Sequence, residues 1–281
     1  MKKKYVLYNP VAGNGKGKEG AEELKTRFDE QSLVYVDVTT VNDYAEFFAG
    51  LSEEDEVIVC GGDGTLNRFV NQTAGVAINN KLYYYACGSG NDFLRDMKDP
   101  NEKLVELNEF IENLPVANVN GKEYRFLNNV GFGIDGYCCE MGDKLRGQSD
   151  KPVNYTGIAI KGLLFHYKPT NATVIMDGKE YFFKKVWLAP TMNGRFYGGG
   201  MMATPDQDRT GDTLSVMLFH GSGRLKTLMI FPSIFKGEHV KKVKNVTVLK
   251  GKEITVKFDG PRAVQVDGET VLGITEYTAK K

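Results

Sequence analysis

Val57-Ile58-Val59-Cys60-Gly61-Gly62-Asp63-Gly64-Thr65-Leu66-Asn67 is the stretch around which this chain is organised. Residues 57–60 are apolar and rich in β-branched side chains, the pattern of a buried strand. Three glycines and an aspartate then force a tight turn. Thr65 is placed to cap a helical run whose Leu66, Phe69 and Val70 share one face. Strand, glycine loop and helix start together make a phosphate-binding geometry. Glycine lets the backbone approach an anion, and the first N–H groups of the helix point at it. Asp63 is the odd member. A carboxylate in an anion site repels phosphate unless a cation lies between them, and a Mg²⁺-nucleotide is the simplest account. The alternative is a plain glycine turn closing a βα unit. The loop lacks the Gly-Lys-Ser/Thr ending of a P-loop, which excludes that class, and it lacks the Gly-x-Gly-x-x-Gly dinucleotide spacing.

Working outward, residues 5–8 read as a first strand, followed by a second glycine-rich loop over residues 9–18. That loop is either a flexible βα connection or a second anion contact with charge from Lys16 or Lys18. Ala21, Leu24 and Phe28 recur at helical spacing, residues 33–38 form a strand ending at Thr39-Thr40, and Tyr44, Phe47, Phe48 and Leu51 mark a helix face. Residues 82–87 make a fourth strand, closed by Gly88-Ser89-Gly90-Asn91-Asp92-Phe93-Leu94-Arg95. Leu104, Leu107, Ile111 and Leu114 suggest a further helix. Strands alternating with helices predict an α/β domain with a parallel sheet, whose ligands bind beyond the carboxyl ends of the strands. The loops at Asn9, Thr40, Gly61 and Gly88 all follow strands, so they are expected along one edge.

From about residue 116 the texture changes. Asn120-Gly121 and Asp177-Gly178 are hairpin signals between alternating runs. Further strands are read at residues 186–189, 214–219, 246–249, 253–258 and 263–266, with helical patches near 155–165 and 225–235. This predicts a C-terminal antiparallel β-sandwich over residues 116–281, after an N-terminal domain of residues 1–115, with the extreme C-terminus free to return to the first domain.

At 281 residues the chain can hold two modest domains. Its 36 basic and 36 acidic residues balance, so no global field draws it to nucleic acid or an anionic membrane. Cys60, Cys87, Cys138 and Cys139 lack metal-type spacing, and Cys60 and Cys87 lie in apolar runs. Reduced structural thiols in a cytosolic protein are expected, with the adjacent Cys138-Cys139 pair open to redox chemistry as an alternative to packing. No run is apolar enough to span a membrane, and Asn9-Pro10 interrupts the first apolar run too early for a signal peptide. His166, His220 and His239 show no ligand spacing.

The string Gly-Gly-Asp-Gly-Thr-Leu-Asn resembles the signature of the diacylglycerol kinase catalytic domain, whose family stands with sphingosine kinases and, more distantly, NAD kinases. The likeness extends along the chain. Asn9-Pro10 with Gly13 is similar to the family's opening motif, and Gly88-Ser89-Gly90-Asn91-Asp92-Phe93 to its Gly-Thr-x-Asn-Asp-Phe, with serine keeping the hydroxyl. Lys236-Gly237-Glu238-His239 and Asp267-Gly268-Glu269 resemble two late motifs of the soluble bacterial members. The resemblance implies an ATP-dependent, Mg²⁺-requiring lipid kinase with its active site in an interdomain cleft. By position it places Asn9, Thr40, Gly61, Gly62, Asp63, Gly64, Thr65, Leu66, Asn67 and Ser89 at the ATP and makes Glu269 the proton acceptor. Asp63 would bind the Mg²⁺ near the β/γ-phosphates, and Asp92 and Arg95 would orient Asp63 or the substrate. Without the resemblance Glu269 reads as an exposed turn residue, Asp92 as a helix cap and Arg95 as a surface charge.

One region departs from the family pattern. Soluble members carry a structural Mg²⁺ at an Asp-Asp-Gly stretch, and in Pro205-Asp206-Gln207-Asp208-Arg209-Thr210-Gly211-Asp212-Thr213 a glycine falls where the ligating aspartate belongs. Asp208, Asp212 and Thr213 could still serve a metal, or the acids are simply solvated. Diacylglycerol is the default acceptor. An NAD kinase-like enzyme and a non-catalytic nucleotide-binding regulator are the alternatives. A cytoplasmic protein touching the membrane transiently to meet its lipid is expected, with apolar residues near 155–165 making the contact. A homodimer is left open, and nucleic acid is not an expected partner.

Overall fold

The computed structural model describes residues 2–88, 91–97, 102–148 and 153–281, apart from the side chains at 13 and 14. The chain divides into two compact units, Met1–Asn113 and Leu114–Lys281.

In the first unit, β1 (Lys4–Tyr8), β2 (Leu33–Asp37), β3 (Glu56–Gly61), β4 (Lys81–Ala86) and β5 (Leu104–Glu106) form one sheet in the order β2-β1-β3-β4-β5. The first four strands are parallel, so their carboxyl ends share an edge. β3 is central and buried along its whole length, which is why its sequence is a continuous apolar run rather than an alternation. Val6, Leu24, Ile58 and Tyr85 belong to one core cluster. Each such buried aliphatic side chain stabilises the fold by roughly 1.5–3 kcal/mol. Tyr44 and Phe69 meet edge-on at 5.6 Å, tying the helix Tyr44–Ala49 to the helix that follows β3.

Two local expectations are corrected. The helix after the central loop runs Asp63–Gln72 with Gly62 as its cap residue, so Thr65 lies in its first turn and does not cap it. The extended backbone of Gly62 lets the helix begin three residues early. The helix expected through Leu104–Leu114 is instead β5 followed by the short helix Asn108–Glu112. β5 runs antiparallel to β4, making the sheet mixed, with Leu104–Glu106 opposite Tyr85–Tyr83. Asn108 fixes the switch: its Oδ1 accepts from Leu82 N–H at 2.8 Å and its amide donates to the Asn80 carbonyl at 3.1 Å. Apolar spacing cannot separate these readings, because a strand leading into a helix also turns Leu104, half-buried, and Leu107, fully buried, toward the core.

The second unit is antiparallel throughout its large sheet. The path runs Val246–Gly251, Leu214–Phe219, Leu188–Met192, Asn129–Gly133, Glu253–Val266, Glu269–Lys280, Val116–Val119 and Lys122–Arg125. The long strand Glu253–Val266 carries two layers. Ile254–Phe258 pairs with Thr170–Met176, and Val264–Val266 pairs with Asn129–Gly133 after a register shift. A strand that changes partners in mid-course closes a sandwich, and its core holds Phe126, Phe132, Val174, Val256 and Tyr277. Asn120-Gly121, Asp177-Gly178 and Asp267-Gly268 all have positive φ at both residues, the turn those dipeptides favour. The chain end stays in this unit: Lys280 pairs with Val116, and Lys281 donates to Asn193 Oδ1 at 2.7 Å. No helix among the described residues is long and apolar enough to cross a membrane.

Candidate active site

Three glycine-bearing loops meet at the carboxyl edge of the first sheet, and the reason is steric. A Cβ on Gly88 would lie 2.4 Å from the Cα of Gly62, so the loops after β3 and β4 cross backbone on backbone. A Cβ on Gly17 would lie 1.9 Å from the carbonyl oxygen of Asn9, which folds the first loop onto its own start. A Cβ on Gly61 would lie 2.5 Å from that of Thr65, so Gly61 leaves room for the helix start. Side chains support this crossing by donating hydrogen bonds to its backbone carbonyls. Tyr84 Oη donates to the Gly61 carbonyl at 3.1 Å, and Asn91, in the left-handed region, donates to the Gly88 carbonyl at 2.6 Å. Burial and the neighbouring Asp63 charge keep the Tyr84 phenol protonated, its pKa well above the usual value.

Asp63 lies at the centre of this crossing. Its carboxylate accepts from the backbone N–H of Asp92 at 2.7 Å and of Phe93 at 3.1 Å. The side chain on one loop therefore caps the first turn of the segment Asp92–Arg95 on the other. Backbone amides of Asp92 and Phe93 orient the Asp63 carboxylate. Arg95 is exposed, whereas Asp92 is buried. An ionised carboxylate offers about four acceptor directions. Two are used here, so Asp63 can also face a divalent cation or its water, and the donor set fits one Mg²⁺ held mainly by phosphate oxygens and water.

The remaining expected nucleotide residues distribute as follows. Asn9 is buried, and its Oδ1 accepts from Val11 N–H at 3.1 Å. Asn67 is buried in the helix, beside Leu66, while Gly64 is exposed at its first turn. Lys16 is exposed at the start of Gly17–Glu22. Thr40 is exposed and donates to the Asp37 carbonyl at 2.8 Å. Ser89 lies outside the described residues.

In the second unit, Glu269 is exposed and opens the strand Glu269–Lys280, paired with Val266 across the Asp267-Gly268 turn. What positions it was not legible in the motif. Asp267 accepts from the N–H groups of Leu127, Asn128 and Asn129, at 2.5, 2.8 and 2.9 Å. Gln265 is buried and accepts from Gly268 N–H at 2.9 Å, while its amide donates to Asp135 at 3.3 Å. Burial pushes the Asp135 carboxyl up to about 6. Asp267, Gln265 and Asp135 thus form the support under the hairpin, and the aspartate of Asp-Gly-Glu is its anchor. Asp267→Ala strands three N–H groups, all on buried residues, and is expected to destabilise this unit by roughly 3 kcal/mol. Thermal unfolding measures it, and an unchanged midpoint would show that the anchor is dispensable.

The loop 205–213 is tied by a side chain the sequence reading passed over. Buried Gln207 donates to the carbonyls of Asp208 and Thr213, at 3.0 and 2.7 Å, and accepts from Ser215 at 2.6 Å. Asp208 is exposed, and hydrogen bonds from Thr210 hold its carboxyl below the usual range. Asp212 is exposed and ion-paired with Lys252 at 2.6 Å. Among the described residues no three His, Cys, Asp or Glu converge on a metal position.

Residues 3–118 match the diacylglycerol kinase catalytic domain, and residues 128–278 match the YegS C-terminal NAD kinase beta sandwich-like domain. The chain is 26% identical over 276 residues to the diacylglycerol kinase of Mycobacterium tuberculosis, covering 94% of this chain and 87% of that one. It is 24% identical to the diacylglycerol kinase of Bacillus subtilis, covering 96% and 90%. A crystal structure of a diacylglycerol kinase from Bacillus anthracis superposes with a TM-score of 0.61 at 21% identity, over 99% of this chain and 93% of that one, which supports the fold. The glycine-loop crossing in the first unit and the antiparallel second unit are the two parts these matches cover, and the chain belongs to the diacylglycerol kinase family of bacterial lipid kinases, with a YegS-type C-terminal domain.

Proposed function

We propose that the chain transfers the γ-phosphoryl group of ATP to the hydroxyl of diacylglycerol, giving phosphatidic acid. The observation that carries this is Asp63, held by backbone N–H groups at the crossing of two glycine loops. In this reading the loops at Gly61–Gly64 and Gly88 take the phosphates, with Asn9, Thr40 and Lys16 on the same strand edge. Asp63 holds Mg²⁺, which when bound offsets the charge developing on the transferred group. Glu269 accepts the proton of the attacking hydroxyl. The names of the two relatives above support diacylglycerol as the acceptor. Radiolabelled ATP offered to a panel of diacylglycerol, monoacylglycerol, sphingoid base, polyprenol and NAD tests it. Label is expected in phosphatidic acid, and label only in NADP would refute the reading.

A bilayer acceptor requires a bilayer contact, and we place it on helices of the second unit, in a cytoplasmic protein that binds the membrane peripherally. Ile160, Phe165, Leu225, Met229 and Phe235 are exposed, with Leu225 and Met229 each at 74%. Arg224 donates to the Leu163 carbonyl at 2.8 Å and so joins the two helical segments. Residues 153–169 and 220–237 contain Lys161, Lys168, Arg224, Lys226 and Lys236 but no Asp or Glu. The balanced total charge thus conceals a locally basic, apolar surface suited to an anionic leaflet. Leu225→Ser combined with Met229→Ser is expected to weaken sedimentation with anionic vesicles by about tenfold, from the apolar area lost. Binding that is unaffected by this change but collapses with modest salt would contradict the placement.

A further inference from the structure

We propose that Cys60 and Cys87 are a peroxide-sensitive thiol pair whose disulfide shuts the glycine-loop crossing. Their sulfurs are 3.2 Å apart, although the residues are 27 positions apart in sequence. Each is the residue immediately before a loop glycine: Cys60 precedes Gly61-Gly62, and Cys87 precedes Gly88. Strand register brings them together. Gly61 pairs with Ala86, and Cys87 N–H donates to the Gly61 carbonyl at 3.0 Å.

The two thiols are chemically unequal. Cys60 is 1% exposed, and Cys87 is only half-buried. The contact between the two sulfurs, in which either can donate, pulls the Cys87 thiol below its ordinary pKa, and together with burial it pushes Cys60 above it. Burial and the Glu23 charge oppose this at Cys87, and Lys103 adds a smaller pull in its favour. Cys87 is therefore the nucleophile and Cys60 the resolving thiol. The neighbouring pair Cys138 and Cys139 lacks this arrangement, since burial raises both.

The oxidant is a hydroperoxide. The Cys87 thiolate attacks one peroxide oxygen, the O–O bond breaks, and the other oxygen leaves as hydroxide or alkoxide and takes a proton. Cys87 is then a sulfenic acid. The Cys60 sulfur, giving up its proton, attacks the Cys87 sulfur, and the sulfenyl oxygen departs as water. Two thiols lose two electrons and become one disulfide, while the peroxide gains those electrons. The bond draws the sulfurs from 3.2 Å to about 2.05 Å. That contraction acts at the roots of both loops, where Gly62 and Gly88 already touch backbone to backbone. The effect on nucleotide binding rests on the function proposed above, but the thiol chemistry does not.

The test is made on the whole reduced protein with hydrogen peroxide, followed by alkylation of free thiols and a non-reducing peptide map. A Cys60–Cys87 crosslink is expected, with loss of two hydrogens in intact mass. ATP affinity should fall by about 10- to 100-fold and return on adding dithiothreitol. Cys60→Ser should give no crosslink and leave Cys87 as a sulfenic acid trapped by dimedone. Both thiols remaining open to alkylation after peroxide, or a crosslink only at Cys138 or Cys139, would overturn the pair. A complete crosslink with unchanged ATP affinity would overturn the shut-off. Reduced protein that binds no ATP would refute the functional reading, and the mass measurement would still decide the thiol chemistry.

Discussion

Asp63→Ala is expected to fold and to lose lipid-kinase turnover by on the order of 10³-fold. Two costs must be separated, because this carboxylate does two jobs. The structural job is the cap: both oxygens take backbone N–H groups, from Asp92 and Phe93. Losing charge-assisted bonds of this kind costs about 1.5–3 kcal/mol, which lowers the unfolding midpoint without unfolding the protein at room temperature. The chemical job is to hold the cation that offsets charge on the transferred phosphoryl group. Losing a contribution of several kcal/mol in the transition state corresponds to the larger, kinetic effect. Asp63→Asn divides the two. Its single carbonyl oxygen can keep one N–H bond, so stability should recover in part, while the missing charge leaves turnover low. Turnover and thermal unfolding measured on the same preparations decide it. Near-normal turnover in folded Asp63→Ala would reduce Asp63 to a helix cap.

Glu269→Gln is expected to lower kcat by about 10²–10⁴-fold, the usual contribution of a general base. Transfer through a loose transition state removes the proton late, which favours the lower end of that range. ATP affinity should be nearly unchanged, because the residues assigned to the nucleotide lie in the other unit. Stability should also be nearly unchanged. Glu269 is exposed, and the hairpin is held by Asp267 and Gln265 rather than by its own side chain. The contrast with Asp267→Ala is therefore diagnostic: one variant loses chemistry, the other stability. Unchanged kcat would leave Glu269 as a turn residue and move proton acceptance to Asp63 or solvent. A large loss of ATP binding would show that the two units do not divide the work in this way.

Much of the fold was readable because its signals are local. The run 57–60 is apolar because β3 is covered on both faces, and the Asn-Gly and Asp-Gly turns follow from residues that tolerate positive φ. The change of texture near residue 116 reflects a real change from a mostly parallel sheet to antiparallel pairing. Reading failed where one apolar pattern serves two structures. Leu104, Leu107 and Ile111 fit a helix on paper, and only the open edge of β4 decides that Leu104–Glu106 pairs as a strand. It also failed where a polar side chain carries no local signature, as with Gln207 and Gln265.

For the site, the sequence by itself determined the glycine loops and the candidate acids Asp63 and Glu269. Their chemistry is written in residue type and short spacing. What only the tertiary structure decided is which groups meet. Asp63 reaches amides 29 and 30 residues on, and Asp267 reaches amides 138 to 140 residues back. Cys60 meets a thiol in a different strand and loop. The physical reason is common to all of these contacts. A side chain or a glycine fixes only the backbone within a few residues of itself, whereas strand order and register, set by burial over the whole sheet, bring distant loops to one edge.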